Sequence, residues 1–144
     1  MDAFIVFLQK SPFNMMLFGG ALVTGSMLLW PLLMRPFRAG REVSALEAVQ
    51  LINRKDALVI DVRDTGEYEA GHVGGARHLP EKQLTERLRE IEKFRERPII
   101  ITCRSGTRSH VAVQVLRRNG FDQAVNLRGG ISAWEQAGMP LEKR

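Results

Sequence analysis

The chain has 144 residues, a single cysteine and a formal net charge of +5, from 21 Lys and Arg against 16 Asp and Glu. That length suits one domain of ordinary size and an appendage, and a lone cysteine excludes an intramolecular disulfide, a thiolate-rich metal site and a resolving thiol in the same chain. The basic excess is modest and no Lys/Arg run interleaves with aromatics, so no nucleic-acid partner is expected, while a free thiol fits a reducing compartment.

The appendage comes first. No charged residue occurs between Ser11 and Met34. As a helix, a stretch like Met15 to Met34 spans about 30 Å, the thickness of a bilayer core. Ser11 suits an N-cap and Pro12 the first helical position. Trp30 and Pro31 stand near the far end, and Arg35-Pro36 closes the segment. Residues 1–38 are therefore read as an N-terminal segment with a transmembrane helix over about 13–34, and 39–41 as a linker. A cleaved signal peptide fits less well: its basic region would hold only Lys10 against Asp2, and no small-x-small cleavage site follows. Arg35, Arg38 and Arg41 outweigh Lys10, which puts the C-terminal side in the cytoplasm of a single-pass protein. Ala21 and Gly25 form a small-xxx-small pair that would let two helices approach as a weak homodimer.

Beyond the linker, Ser44-Ala-Leu-Glu47 is a capping box that opens a helix through about Ile52. Ala57 to Val62 is a nearly all-apolar strand of the kind buried on both faces. Asp64 caps a short helix to Tyr68. Gly71, Gly74 and Gly75 mark a turn-rich loop before a short strand at Arg77–Leu79. Leu84, Leu88 and Ile91 give Glu81–Phe94 a helical period. A strand at Ile99–Ile101 leads to the cysteine. His110–Arg118 is helical, with Val111, Val115 and Leu116 on one face, and Gly120 ends it. A strand at Ala124–Leu127, a turn at Gly129-Gly130 and a helix from Ile131 to Gln136 complete the series. Strands alternating with helices imply an α/β domain built on a parallel sheet, whose ligands bind beyond the carboxyl ends of the strands.

Cys103 stands at such an end. Cys103-Arg104-Ser105-Gly106-Thr107-Arg108-Ser109 links the strand to the next helix. A tight loop there aims backbone N–H groups inward, and with two arginines it favours an anion and a thiolate. Gly106 relieves a backbone angle forbidden to other residues. Arg108 is expected to face an anionic substrate and Arg104 to act through its longer-range field. His72, in a turn, and His110, in a helix, are poor candidates for a general base. With no histidine cluster, no metal is expected. Trp134 reads as core.

The pattern resembles the rhodanese-like family. Asp61-Val-Arg63, Glu67-Tyr68, Gly71-His72-Val73, Gly75-Ala76 and Pro80 resemble its first signature. Cys103 to Ser109 resembles the active-site loop, and Gly129-Gly130, Trp134, Gly138 and Pro140 the closing signature. The resemblance implies a rhodanese-like domain over 42–144, with a central parallel sheet flanked by helices, like the small membrane-anchored single-domain proteins of Gram-negative bacteria. It implies a thiosulfate sulfurtransferase of the inner membrane. Cys103 would take the outer sulfur of a small anionic donor as a persulfide and yield it to a thiophilic acceptor, with no cofactor. Arg104 to Ser109 would bind the donor. Asp61, Arg63 and Glu67 would support the loop, with Arg63 paired to Glu67 behind it. A phosphatase or arsenate reductase on the same fold needs a loop one residue longer than the four that separate Cys103 from Arg108. The other alternative is an anchored interaction module, or one that delivers sulfur to a protein partner.

Overall fold

The computed structural model describes residues 11–39 and 42–143, with residues 31–39 described through their backbone only. The chain divides into two compact units, 1–39 and 40–144. Lys10, Arg41 and most of the expected 39–41 linker lie outside the described residues.

The described residues of the first unit form a helix, α1 (Pro12–Ala39), that is long and apolar enough to cross a membrane. Ser11 Oγ accepts from the Phe13 N–H at 3.3 Å, so the cap lies where the sequence places it. Thr24 and Ser26 donate their hydroxyls to the Gly20 and Val23 carbonyls, each at 2.8 Å. Both hydroxyls are thus satisfied within the helix. The helix runs past Arg35-Pro36, where the sequence suggests a stop, to Ala39.

The second unit is built on a five-stranded parallel sheet, ordered β1 (Glu42–Val43), β6 (Ala124–Leu127), β5 (Ile99–Thr102), β2 (Leu58–Asp61) and β4 (Arg77–His78). Two shorter strands, β3 (His72–Val73) and β7 (Leu141–Glu142), pair antiparallel beside it. The helices are α2 (Ala45–Lys55), α3 (Thr65–Ala70), α4 (Thr107–Arg118) and α5 (Gly130–Gln136). Side chains alternate across a strand, so the run of isoleucines in β5 is divided between two cores. Ile99 and Ile101 join Leu58, Ile60, Val113, Leu116 and Phe121 on one face. Ile100 joins Val59, Ala48, Leu127, Ile131 and Trp134 on the other. Helices cover both faces, which is why β2 and β5 carry almost no polar side chain.

Local signals account for most boundaries. The Ser44–Glu47 capping box closes with Ser44 N–H donating to Glu47 Oε2 at 2.7 Å and Glu47 N–H to Ser44 Oγ at 3.3 Å. These bonds hold the Glu47 carboxyl below its ordinary pKa.

Two expectations need correction. Glu81–Phe94 forms two 3₁₀ segments, Glu81–Gln83 and Leu88–Phe94, in place of an α-helix. Leu88, Ile91 and Phe94 recur every third residue, and three-residue turns align that spacing along one edge. Leu84 and Ile91 are buried there, with Leu88 and Phe94 packed against the same core. On α4 the buried face is Ser109, Ala112, Val113 and Leu116, while Val111 is half exposed. The helix begins at Thr107, three residues earlier than expected.

Candidate active site

The parallel strands end flush. Asp61 of β2 lies beside Thr102 of β5, and Ile101 of β5 beside Asn126 of β6. Cys103, the next residue, therefore sits at the middle of the sheet's carboxyl edge, buried at the floor of the loop. The loop closes with Gly106 at φ +96°, from which α4 starts. Its carbonyls turn away from the sulfur: Cys103 O accepts from the Ile131 N–H at 2.8 Å and Arg104 O from the Ser132 N–H at 3.1 Å. The first turn of α5 thus holds the loop's outer edge, and the N–H groups face inward.

The sulfur collects donors. Gly106 N–H lies 3.1 Å from Cys103 Sγ and Ser109 Oγ 3.2 Å from it. Burial pushes the thiol's pKa up. The Ser109 hydroxyl, with the N–H groups of Ser109, Gly106 and Ser105, more than offsets this, so the net shift is downward. Hydrogen bonds that strengthen when the sulfur is charged favour the thiolate. Ser105 and Thr107 line the loop's exposed side, with their hydroxyl oxygens 3.5 Å apart.

The ion pairs differ from expectation. Arg63 does not pair with Glu67. Its guanidinium grips the Asp61 carboxylate in a fork, Nε to Oδ1 at 2.9 Å and Nη2 to Oδ2 at 2.6 Å, and it also donates to Gly71 O at 2.6 Å. Asp61 is two residues away at the same buried strand end, so it claims the guanidinium before Glu67 can reach it. Glu67 instead receives both terminal nitrogens of Arg108, each at 3.0 Å. This pair joins the first turn of α3 to the first turn of α4. The hydrogen bonds from Arg108 hold the Glu67 carboxyl below its usual range, and the Glu67 bond raises Arg108. Arg104 is exposed and lines a cleft with Gly66, Glu67 and Ile131. Among the described residues its guanidinium has no ion-pair partner.

His72 and His78 serve packing. They stack on opposite sides of Tyr68, with ring centroids 3.8 and 4.6 Å away. His72 Nδ1 bonds Tyr68 O at 2.9 Å, and Tyr68 itself donates to Ala76 O at 2.8 Å. His110 is exposed on α4, 4.0 Å from Glu42. Trp134 is buried, its Nε1 donating to Pro140 O at 3.0 Å. Among the described residues no group of three acidic, histidine or cysteine side chains could hold a metal ion.

Sequence reasoning missed Asn126. It is buried, accepts from Ser109 Oγ at 2.6 Å and donates to Gly106 O at 3.1 Å. A polar residue inside the otherwise apolar strand Ala124–Leu127 was the available signal.

A model of the rhodanese-like domain matches residues 44–137. A protein from Allochromatium vinosum named sulfurtransferase is 38% identical over 92 residues, 64% of this chain and 84% of that protein. The thiosulfate sulfurtransferase GlpE of Pseudoalteromonas translucida is 32% identical over 99 residues, 69% of this chain and 92% of its own. An uncharacterised Bacillus subtilis protein, YqhL, is 41% identical over 80 residues, and the match spans 62% of its length. Among solved structures, a rhodanese-related protein from Thermoplasma volcanium superposes with a TM-score of 0.66 at 28% identity, covering 72% of this chain and 99% of that one.

Proposed function

Since the chain belongs to the rhodanese-like domain family, we propose that it is a sulfurtransferase that moves a sulfane sulfur from an anionic donor such as thiosulfate to a thiophilic acceptor. The Cys103 thiolate attacks the donor's outer sulfur. A new S–S bond forms, the bond from that sulfur to the sulfonate breaks, and sulfite departs with its electron pair. The acceptor then attacks the outer sulfur of the persulfide and regenerates the thiolate; with cyanide the product is thiocyanate. The observation that carries this reading is the set of donors around Cys103 Sγ: the Gly106 N–H at 3.1 Å and Ser109 Oγ at 3.2 Å. A cradle of fixed donors stabilises negative charge on sulfur without reorganising. Protein incubated with thiosulfate should gain the mass of one sulfur atom, and cyanide should remove it. No gain on the folded protein would refute the persulfide.

The arginines divide the work according to their partners. Arg108 lends its field to Cys103 but is already matched by Glu67. This reverses the sequence expectation, in which Arg108 faces the donor and Arg104 acts through its field: Arg108 is held by Glu67, while Arg104 carries the unmatched charge beside the loop and meets the donor's oxygens. Arg104→Ala is expected to raise KM for thiosulfate about 5-fold to 30-fold, about 1–2 kcal/mol for an exposed charge-assisted contact. The loss should shrink in high salt, which screens exposed charges. Arg108→Ala should change KM less than about fivefold, because its guanidinium is already held by Glu67 in a half-buried pair and reaches the donor through its field alone, a contribution of about 0–1 kcal/mol. A larger KM effect from Arg108 at high salt would reverse the assignment.

The further reading of α1 is that it anchors the enzyme in the inner membrane with the catalytic unit on the cytoplasmic side. A membrane-impermeant maleimide should then label Cys103 only after spheroplasts are opened. Labelling in sealed spheroplasts would overturn the orientation.

A further inference from the structure

Asn126 stands on β6 in register with Ile101 of β5 and Glu42 of β1. Its amide is fixed in direction. Nδ2 donates to Gly106 O at 3.1 Å and to Glu42 Oε1 at 3.4 Å, which uses both amide hydrogens and leaves Oδ1 as the acceptor. That oxygen is 2.6 Å from Ser109 Oγ, and the same hydroxyl is 3.2 Å from Cys103 Sγ. All three residues are at least 98% buried. A serine hydroxyl has one proton. It serves the amide oxygen or the sulfur, not both.

From this geometry we infer that Asn126 is a positioning residue for sulfur chemistry: it competes with Cys103 Sγ for the single Ser109 proton, so the hydroxyl turns to the sulfur only when the sulfur is charged. In the thiol form the Cys103 S–H donates to Ser109 Oγ and the hydroxyl donates on to Asn126 Oδ1. When Cys103 loses its proton, the hydroxyl rotates to the thiolate and Oδ1 loses its donor. The backbone N–H groups of the loop have no such choice. The inference rests on Cys103 as the nucleophile proposed above and adds the side chain that restrains its ionisation.

Other charges surround this cluster. Arg108 and His110 stand on α4, Arg104 on the loop, and Glu67 on α3 behind Arg108. Glu42 on β1 lies beside Asn126 with Arg128, and Asp61 with Arg63 ends β2. Neutral exchanges at 109 and 126 leave every one of these charges in place.

The test is the pH dependence of Cys103 alkylation by iodoacetamide on the full-length protein, in which no other thiol reacts. Ser109→Ala should raise the midpoint by about one pH unit, since it removes a donor to the thiolate. Asn126→Leu should lower it by about half a unit or more, which makes alkylation well below the midpoint about threefold faster. The double variant should match Ser109→Ala, because the effect of Asn126 passes through that hydroxyl. A purely structural Asn126 would predict the opposite sign, as a loosened loop loses N–H donors. A raised or unchanged midpoint in Asn126→Leu, or a downward shift that persists without Ser109, overturns the inference. Should that variant fail to fold, Asn126→Asp must raise the midpoint more with Ser109 present than in the Ser109→Ala background. Equal shifts would refute it. The readout needs no sulfur donor, so a protein that fails to transfer sulfur would still give these midpoints.

Discussion

Cys103→Ser is expected to lower thiosulfate:cyanide sulfur transfer by at least about a thousandfold, because removing a nucleophile leaves only the residual contribution of binding. No other cysteine exists to take over. A serine hydroxyl stays protonated at neutral pH even inside the cradle, and an alkoxide is not thiophilic. The fold should survive, since the exchange replaces one small buried atom by another and the Gly106 and Ser109 donors can bond oxygen as well as sulfur. The measurement is thiocyanate release, with circular dichroism to confirm folding. Substantial turnover by the folded variant would remove Cys103 from the mechanism. The same variant should gain no sulfur mass from thiosulfate.

Gly130→Ala is expected to have the next largest effect on activity, through the backbone. Gly130 has φ +57°, and a Cβ built on it would lie 2.7 Å from both the carbonyl carbon and the oxygen of Arg104, with Cys103 O nearer still. These are backbone atoms of the Cys103 loop and have no rotamer by which to retreat. Left-handed strain costs about 1–3 kcal/mol and overpacking about 1–3 more, so a loss of about 2–6 kcal/mol is expected in chemical denaturation. A loop displaced by about 1 Å would also lower kcat/KM about 100-fold. Gly138 is the comparison: its φ is +72°, yet a Cβ there meets nothing within 4 Å. Gly138→Ala should show the strain alone, with sulfur transfer intact. Equal kinetic losses in the two variants would show that the Gly130 contact does not govern the loop.

Most of the fold was legible because its signals are local. The Ser44–Glu47 box, the apolar runs at Leu58–Asp61 and Ile99–Thr102, and Gly106 each announce their element without reference to distant residues. Of the four two-residue strands only Arg77–His78 was legible; Glu42–Val43, His72–Val73 and Leu141–Glu142 exist only because partners across the fold complete their ladders. The 3₁₀ geometry of Leu88–Phe94 was hidden because spacings of three and four both pass for α-helical until the core is known. At the site, Cys103 and its loop were readable as an anion cradle. The ion-pair partners were not. Arg63 had both Asp61 and Glu67 within reach in sequence, and only the shared burial at the end of β2 decides for Asp61. Asn126 lies 17 residues beyond Ser109, and no periodicity could have brought the two together.

The register of the sheet also dictates an order of assembly. Glu42 bonds Asn126 across 84 residues of chain, and the N–H groups that hold the Cys103 loop come from Ile131 and Ser132. Closing so long a loop is entropically slow, and pairings of this kind form late. The Cys103 loop is closed only when the first turn of α5 docks, through the Ile131 and Ser132 N–H groups. A partly folded chain in which β6 and α5 have not yet joined the sheet would hold the thiol without these supports, so the cradle is among the last parts of the unit to form.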